Sequence, residues 1–195
     1  MAKLYFRYGA MNCGKTTAII QVAHNYEEKW MRVALIKPKI DSKWWEHISS
    51  RLGVTRKADV LLDRADSIKD IMQTYQKTNG DIDCLLIDEV QFLMPSQIDE
   101  LYWFALDEDV PVICYGLRTD FLLQSFPASE RLLALAHTLE ELKNICNCGK
   151  KAVCNMRIVN GKPVFSGDQI AIDDGEITYE AVCGMCYANH KKWII

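Results

Sequence analysis

The chain has 195 residues, enough for one domain and a small additional unit at roughly 150 residues per domain. Its 23 Lys and Arg against 26 Asp and Glu give a net charge of −3, which argues against nucleic-acid binding through a broadly basic surface. No apolar run approaches the ~20 residues that span a bilayer, and the N-terminus has no cleavable signal pattern. We therefore expect a cytoplasmic protein with no nucleic-acid or membrane partner.

Strand and helix patterns alternate along the chain. Apolar runs predict strands at 3–8, 32–37, 82–87 and 110–115, and helical spacing predicts helices at 15–29, between Asp66 and Asn79, from Pro95 onward and at 128–137. Residues 39–59 show no clear period, so we expect a long loop. Together these elements indicate an α/β fold with a mostly parallel sheet. Because short β-like runs between cysteines begin near residue 145, we expect a core of residues 1–144 and a second unit of residues 145–195.

The first functional motif is a phosphate-binding loop. Residues 9–16 match G-x-x-x-x-G-K-[ST] at every fixed position and lie between a predicted strand and a predicted helix. Backbone N–H groups of such a loop face the phosphates of ATP, Lys15 contacts the β- and γ-phosphates, and the Thr16 hydroxyl ligates Mg²⁺. The predicted ATP-binding residues of the loop are Gly9, Ala10, Met11, Asn12, Cys13, Gly14, Lys15 and Thr16.

The second motif is an apolar strand that ends in two acids, Asp88 and Glu89. In a P-loop protein, Asp88 is expected to hold Mg²⁺ and Glu89 to act as the general base. These motifs alone leave the attacking group open, because the same glutamate activates water in ATPases.

Close cysteine pairs indicate a metal site. Cys146 and Cys148 form a C-x-C pair, and Cys183 and Cys186 form a C-x-x-C pair. Four thiolates suit a structural, tetrahedral Zn²⁺ site. Cys154 has no partner in the sequence and is expected to be a buried free thiol.

The segment between the two cysteine pairs gives two further expectations. Residues 149–182 would form a loop that is tied at both ends and free in the middle, suited to folding over a ligand. Residues 145–195 carry six Lys and Arg against five Asp and Glu, which disfavours a nucleic-acid reader. His190 is an alternative fourth zinc ligand to Cys186.

The motifs together resemble a known family. The P-loop at the extreme N-terminus, Asp-Glu-Val-Gln-Phe at 88–92, Tyr-Gly-Leu-Arg-Thr-Asp-Phe at 115–121 and the zinc-tied C-terminal loop resemble the cytosolic-type (type II) thymidine kinases, particularly the enterobacterial form. The resemblance implies a RecA-like P-loop core with a zinc-anchored lasso over the nucleoside. It also implies transfer of the ATP γ-phosphate to the 5′-hydroxyl of thymidine, and a homotetramer.

The resemblance also assigns residues. It implies that Glu89 is the catalytic base and that the backbone from Asp88 through Val90 to Gln91 lies at the nucleotide. Leu117, an apolar side chain suited to enclosing the thymine methyl together with Met11 and Phe121, is added from the chemistry of the pocket. The expected nucleoside-site residues are Met11, Asp41, Leu117, Phe121, Ile170, Ala171, Ile172, Asp173, Asp174 and Tyr179.

The sequence departs from the family pattern in three ways: Asp173-Asp174 replaces a Gly-Gly pair, Lys43 replaces an arginine, and Cys186 replaces the histidine of the enterobacterial relatives. The main alternative function is a P-loop ATPase whose zinc ribbon acts on nucleic acid. Two further functions stay open at this point: a zinc-binding module with ATP as a structural ligand, and a kinase for another nucleoside.

Overall fold

The core of the protein is a parallel sheet whose strands alternate with helices along the chain. A computed structural model describes residues 1–39, 46–170 and 177–192. The elements in chain order are β1 (Leu4–Tyr8), α1 (Lys15–Glu27), β2 (Val33–Pro38), β3 (His47–Ser49), β4 (Thr55–Lys57), β5 (Val60–Leu62), α2 (Ile68–Asn79), β6 (Cys84–Ile87), a 3₁₀ turn (Val90–Phe92), α3 (Pro95–Asp107), β7 (Val112–Gly116), α4 (Pro127–Leu135), β8 (Thr138–Glu141), β9 (Asn144–Ile145), β10 (Lys151–Ala152), β11 (Cys154–Val159), β12 (Lys162–Val164), β13 (Ile177–Val182) and α5 (Gly184–Lys192).

Six strands form the main sheet in the order β5-β2-β6-β7-β1-β8, and every pairing in it is parallel. The apolar strands β6 and β7 are buried along their whole length, as expected for central strands covered on both faces. Because β7 lies between β1 and β6, the P-loop and the acidic pair emerge at the same edge of the sheet. The expected α/β class with a mostly parallel sheet is confirmed.

The expectation of one long loop over residues 39–59 is wrong for the part that the structure describes. Strands β3 and β4 pair antiparallel as a small hairpin, with Ile48 buried between them and the core. Strand β8 was also not predicted, although it extends the main sheet beside β1. Each of these strands has at most four residues, too few to establish a visible period.

The C-terminal unit has strands toward both ends of the expected loop. Strands β12, β11 and β13 form an antiparallel sheet, and β9 pairs with β10. Toward both ends of residues 149–182 the chain is therefore mostly sheet, whereas residues 165–170 form no strand. The rest of the expected free middle, residues 171–176, lies outside the described residues, so that expectation stays a prediction. A separate apolar cluster includes Met156, Val182 and Tyr187, together with Ala10 from the P-loop. The domain boundary at residue 145 stays a prediction.

No helix in the part of the chain that the structure describes is a candidate membrane span. None of its helices combines the length and the apolar character that a membrane span requires.

Candidate active site

The P-loop connects β1 to α1 and contains two left-handed residues, Asn12 with a φ of 62° and Gly14 at the start of the helix. Gly14 caps α1 with a φ of 84°, a conformation that glycine adopts without a Cβ penalty. Lys15 is the first helical residue and is 8% exposed. Its Nζ donates to the carbonyl oxygen of Ala10 at 3.1 Å. The ammonium group is thereby held against the loop, beside the partial positive charge of the helix N-terminus.

The acidic pair follows β6 at the same edge of the sheet. Asp88 is 3% exposed, and burial together with the charge of Glu89 raises the pKa of Asp88 to about 7. The positive charges of Lys37 and Lys15 act in the opposite direction. A buried carboxylate close to a second acid and to the P-loop lysine fits a site for a hard divalent cation such as Mg²⁺. Thr16, half-buried on the first turn of α1, supplies the hydroxyl expected of the second ligand.

Glu89 is held by the side chain of Gln91. The Nε2 of Gln91 donates to Oε2 of Glu89 at 2.6 Å, and its Oε1 accepts from the backbone N–H of Leu117 at 3.0 Å. The buried Gln91 amide thus joins the predicted base to the end of β7. Gly116 makes this bridge possible, because a Cβ there would lie 2.6 Å from Oε1 of Gln91.

Two asparagines contact the P-loop: Asn155 of the C-terminal unit and Asn144, the last residue of the expected core. Oδ1 of Asn155 accepts from the backbone N–H of Met11 at 2.7 Å, and Nδ2 of Asn144 donates to the Met11 carbonyl at 2.9 Å. Asn155, which is 3% exposed, also donates to the carbonyl of Thr119 at 3.1 Å. One buried side chain therefore links the P-loop, strand β11 and the segment after β7.

Four of the expected nucleoside-site residues lie in the described part of the chain on elements that contact this region. Met11 is bound by Asn155, Leu117 follows Gly116, and Phe121 and Tyr179 both contact Arg157. Leu117 and Phe121 are buried, and Tyr179 is half-buried. The expectations for Asp41, Ala171, Ile172, Asp173 and Asp174 fall outside the described residues.

Ile170 lines a cleft beside strands β2 and β5. It is 39% exposed, and the cleft has a volume of about 230 Å³ and is also lined by Pro38, Lys39, Leu62, Asp63, Arg64, Phe92 and Leu93. Met11, Leu117, Phe121 and Tyr179 do not line this cleft.

The two cysteine pairs meet in space. The Sγ atoms of Cys146, Cys148, Cys183 and Cys186 all lie within 4.8 Å of one another. Tetrahedral zinc with Zn–S bonds near 2.3 Å needs sulfur atoms about 3.8 Å apart, so this donor set fits Zn²⁺. The backbone N–H of Cys186 lowers the pKa of Cys183 to about 6, which favours a thiolate. The neighbouring thiols raise the pKa of Cys186, so a cation is needed for all four to ionise.

Cys154 and His190 stay outside this cluster. Cys154 is buried, and burial raises the pKa of its thiol. It is a free cysteine in the structure, as the sequence predicts.

Four contacts of the site were not predicted from the sequence. They are made by the side chains of Asn155, Arg157 and Asp120, and by the side chain of Gln91, which binds Glu89. All four residues are at most 4% exposed. A polar residue between the apolar residues of a buried strand indicates a possible site residue, because a buried polar group needs hydrogen-bond partners. The sequence Cys-Asn-Met-Arg at 154–157 contains two such residues, Asn155 and Arg157, which lie on the same face of β11.

Comparison with known proteins gives consistent matches over nearly the whole chain. The profile described as thymidine kinase matches residues 2–187. A thymidine kinase of Francisella tularensis subsp. tularensis is 43% identical in an alignment that covers 94% of this chain and 95% of that protein. A thymidine kinase of Chromobacterium violaceum is 44% identical over 96% of this chain and 98% of its own length. A thymidine kinase of Yersinia pseudotuberculosis is 42% identical over 98% of this chain and 97% of its own length.

Proposed function

Because the chain belongs to the thymidine kinase family, we propose that it transfers the γ-phosphate of ATP to the 5′-hydroxyl of thymidine and produces dTMP. The observation that carries the proposal is the position of Glu89. Glu89 directly follows the buried Asp88, and its carboxylate accepts a hydrogen bond from Gln91. Both acids lie at the sheet edge from which the P-loop also emerges. A nucleophile and a γ-phosphate that meet at this edge would have a base within reach.

The P-loop supplies the ATP site. Its backbone N–H groups and the N-terminus of α1 face the phosphates, and Lys15 neutralises charge on the β- and γ-phosphates. Thr16 and Asp88 would hold Mg²⁺, which supplies further charge neutralisation when bound. The backbone from Asp88 to Gln91 lies beside the nucleotide in this proposal.

Glu89 accepts the proton of the attacking hydroxyl. One of its oxygens is fixed by the Gln91 amide, so the other oxygen is oriented for the substrate. Gln91 in turn accepts a hydrogen bond from the backbone of Leu117. The same Gln91 side chain therefore binds both the proposed base and a residue expected to line the nucleoside pocket. Positioning of this kind is the main contribution that a protein makes to phosphoryl transfer.

The nucleoside pocket is proposed to consist of Met11, Leu117, Phe121 and Tyr179. By family resemblance, Asp41 and the segment from Ile170 to Asp174 also belong to the proposed site. Apolar side chains suit the thymine ring and its methyl group, and backbone groups of the 170–174 segment suit the polar edge of the base.

The cysteine cluster is proposed to bind a structural zinc ion. Cys146, Cys148, Cys183 and Cys186 would leave no open coordination position, so the metal takes no part in the reaction. We place the enzyme in the cytoplasm, where cysteines remain reduced and free to bind metal. We also propose that the enzyme forms the homotetramer implied by the family resemblance. The proposed reaction needs no nucleic-acid partner.

The test is production of ADP with Mg-ATP, run without acceptor, with single-stranded DNA and with each deoxynucleoside in turn. The proposal predicts turnover with thymidine. Turnover without acceptor, or stimulated by DNA, would instead support a P-loop ATPase, which the matched relatives do not favour. Preference for another nucleoside would keep the chemistry and change only the substrate.

A further inference from the structure

Arg157 is a cation buried in the C-terminal sheet. It lies on β11 and is 4% exposed. None of the ion pairs among residues 1–39, 46–170 and 177–192 includes it. A guanidinium stays charged and is unfavourable to bury without compensation, so its neighbours must explain why it is there.

Two aromatic rings provide much of that compensation. The Cζ of Arg157 lies 3.6 Å from the ring centroid of Phe121 and 5.4 Å from that of Tyr179. Its Nε donates to the Tyr179 hydroxyl at 2.9 Å. Arg157 and Tyr179 are direct partners in the β11–β13 pairing. The cation thus lies over the ring of one proposed pocket residue and is hydrogen-bonded to the other.

The same side chain also reaches the start of the 170–174 segment. The Nη2 of Arg157 donates to the carbonyl of Gln169 at 3.2 Å, and Nε2 of Gln169 donates to Oδ2 of Asp120 at 3.0 Å. The other oxygen of Asp120 accepts from the backbone of Leu122 and of Gln124. The contacts of Arg157 therefore join β11, β13, the residue before Ile170 and the turn that carries Phe121.

We propose that Arg157 is a positioning residue for the nucleoside. Its planar group covers one face of the Phe121 ring and fixes the hydroxyl of Tyr179, so both rings are held in place before the base enters the pocket. A pocket that is ordered in advance loses less entropy on binding. This inference rests on the proposed function, because Phe121 and Tyr179 enter the nucleoside pocket only through it.

The test is Arg157→Lys, which keeps the charge and the aliphatic stem but removes the planar group and its paired donors. We expect the KM for thymidine to rise about tenfold, as loss of a desolvated ring contact would produce. The KM for ATP and kcat should stay within about twofold of the wild-type values, since only binding of the nucleoside changes.

Arg7→Lys is the matched control. Arg7 also donates to a tyrosine hydroxyl, at 2.7 Å, and lies over the ring of the same residue, Tyr115. It belongs to β1 and β1 pairs with β7 and β8, away from the sheet that carries Tyr179. We expect this variant to lose thermal stability but to keep the wild-type KM for thymidine.

Tyr179→Phe makes the test independent of how well Arg157→Lys folds. It keeps the ring and removes only the hydroxyl that accepts from Arg157, so we expect the KM for thymidine to rise about threefold. The double variant should be no worse than Arg157→Lys alone, because both changes remove the same interaction. An unchanged KM for thymidine in Tyr179→Phe, or a parallel rise of both KM values in Arg157→Lys, would overturn the inference.

The outcome is separable from that of the proposed function. If the wild-type enzyme phosphorylates thymidine and the variants keep its KM, only the role of Arg157 is refuted. If the wild type fails to phosphorylate thymidine, the proposed function itself is refuted.

Discussion

Glu89 has an unusual backbone conformation for a residue with a side chain. Its φ of 48° and ψ of 40° are left-handed, which costs about 1–2 kcal/mol for a non-glycine residue. The turn is held by the hydrogen bond from Gln91 to the Glu89 carboxylate and by burial of Val90 and Gln91. Local strain maintained by surrounding contacts is common where a side chain must be aimed at a substrate.

The first prediction concerns the charge of Glu89. Glu89→Gln keeps the shape of the side chain but cannot accept a proton, so kcat should fall by about 100- to 10,000-fold. Binding of ATP and thymidine, measured by calorimetry, should stay close to wild type. Glu108→Gln, at the exposed end of α3, should keep full turnover. Near-normal kcat for Glu89→Gln would remove Glu89 from the mechanism.

The second prediction concerns the space beside Gln91. In Gly116→Ala the new methyl group would lie 2.6 Å from Oε1 of Gln91 and 2.8 Å from Cγ1 of Val90. The Gln91 amide must therefore move and release Glu89, and kcat should fall about 10- to 100-fold, as small displacements of a catalytic group do.

Gly53→Ala is the control for that substitution. Gly53 has a φ of +83°, and a methyl group added there would meet no heavy atom of the described residues within 4 Å. The variant should therefore lose only about 1–2 kcal/mol of unfolding free energy and keep its kcat. Equal kcat values in the two variants would contradict the account of Gln91.

At the scale of elements, sequence patterns predict the long and the strongly apolar segments. The runs at 82–87 and 110–115 are the central strands β6 and β7, although each strand begins two residues later than expected. The predicted helix at 128–137 is α4, which starts at Pro127 and ends two residues early at Leu135. These ends shift because turn contacts, and not periodicity, determine them.

The site could be predicted only as far as its motifs reach. Lys15 and Asp88 follow from fixed spacings, and the four cysteines meet as expected. The contacts of Gln91 and Asn155 could not be predicted, because they join residues 26 and 144 positions apart. Such contacts depend on how strands that are distant in sequence come together.

The third prediction concerns the cysteine cluster, which joins the β9–β10 hairpin to the end of β13 and to α5. The wild-type chain should contain about one zinc ion, and Cys148→Ser should lose it because a serine hydroxyl is a poor replacement for thiolate. Cys148 is exposed, so the substitution leaves no cavity. The KM for thymidine should rise, since Tyr179 and Arg157 lie on the affected sheet.

Cys154→Ala is the control for metal binding. Cys154 lies outside the cluster and is 5% exposed. This variant should lose some thermal stability and keep its zinc, as measured by atomic absorption. Loss of zinc from Cys154→Ala, or full retention in Cys148→Ser, would show that the ligand set is wrong.

At the scale of the whole molecule, residues after position 144 contact both the P-loop and Phe121. Asn155 of the C-terminal unit binds the Met11 backbone, as does Asn144 at the boundary, and Ala10 packs in the apolar cluster of the C-terminal unit. The hydroxyl of Tyr187 donates to the carbonyl of Phe121 at 2.8 Å. The phosphate-binding loop and the proposed nucleoside pocket are therefore both built with residues of the unit that carries the cysteine cluster.

Contacts between the P-loop and the C-terminal unit predict that ATP and the nucleoside react in one site. If the P-loop and the nucleoside pocket serve one reaction, the γ-phosphate must appear on the nucleoside and not in water. The most direct measurement is to incubate the protein with Mg²⁺, thymidine and ATP labelled at the γ-phosphate, and to separate the products by chromatography. We predict that the label appears in thymidine 5′-monophosphate; label found only in inorganic phosphate would contradict the account.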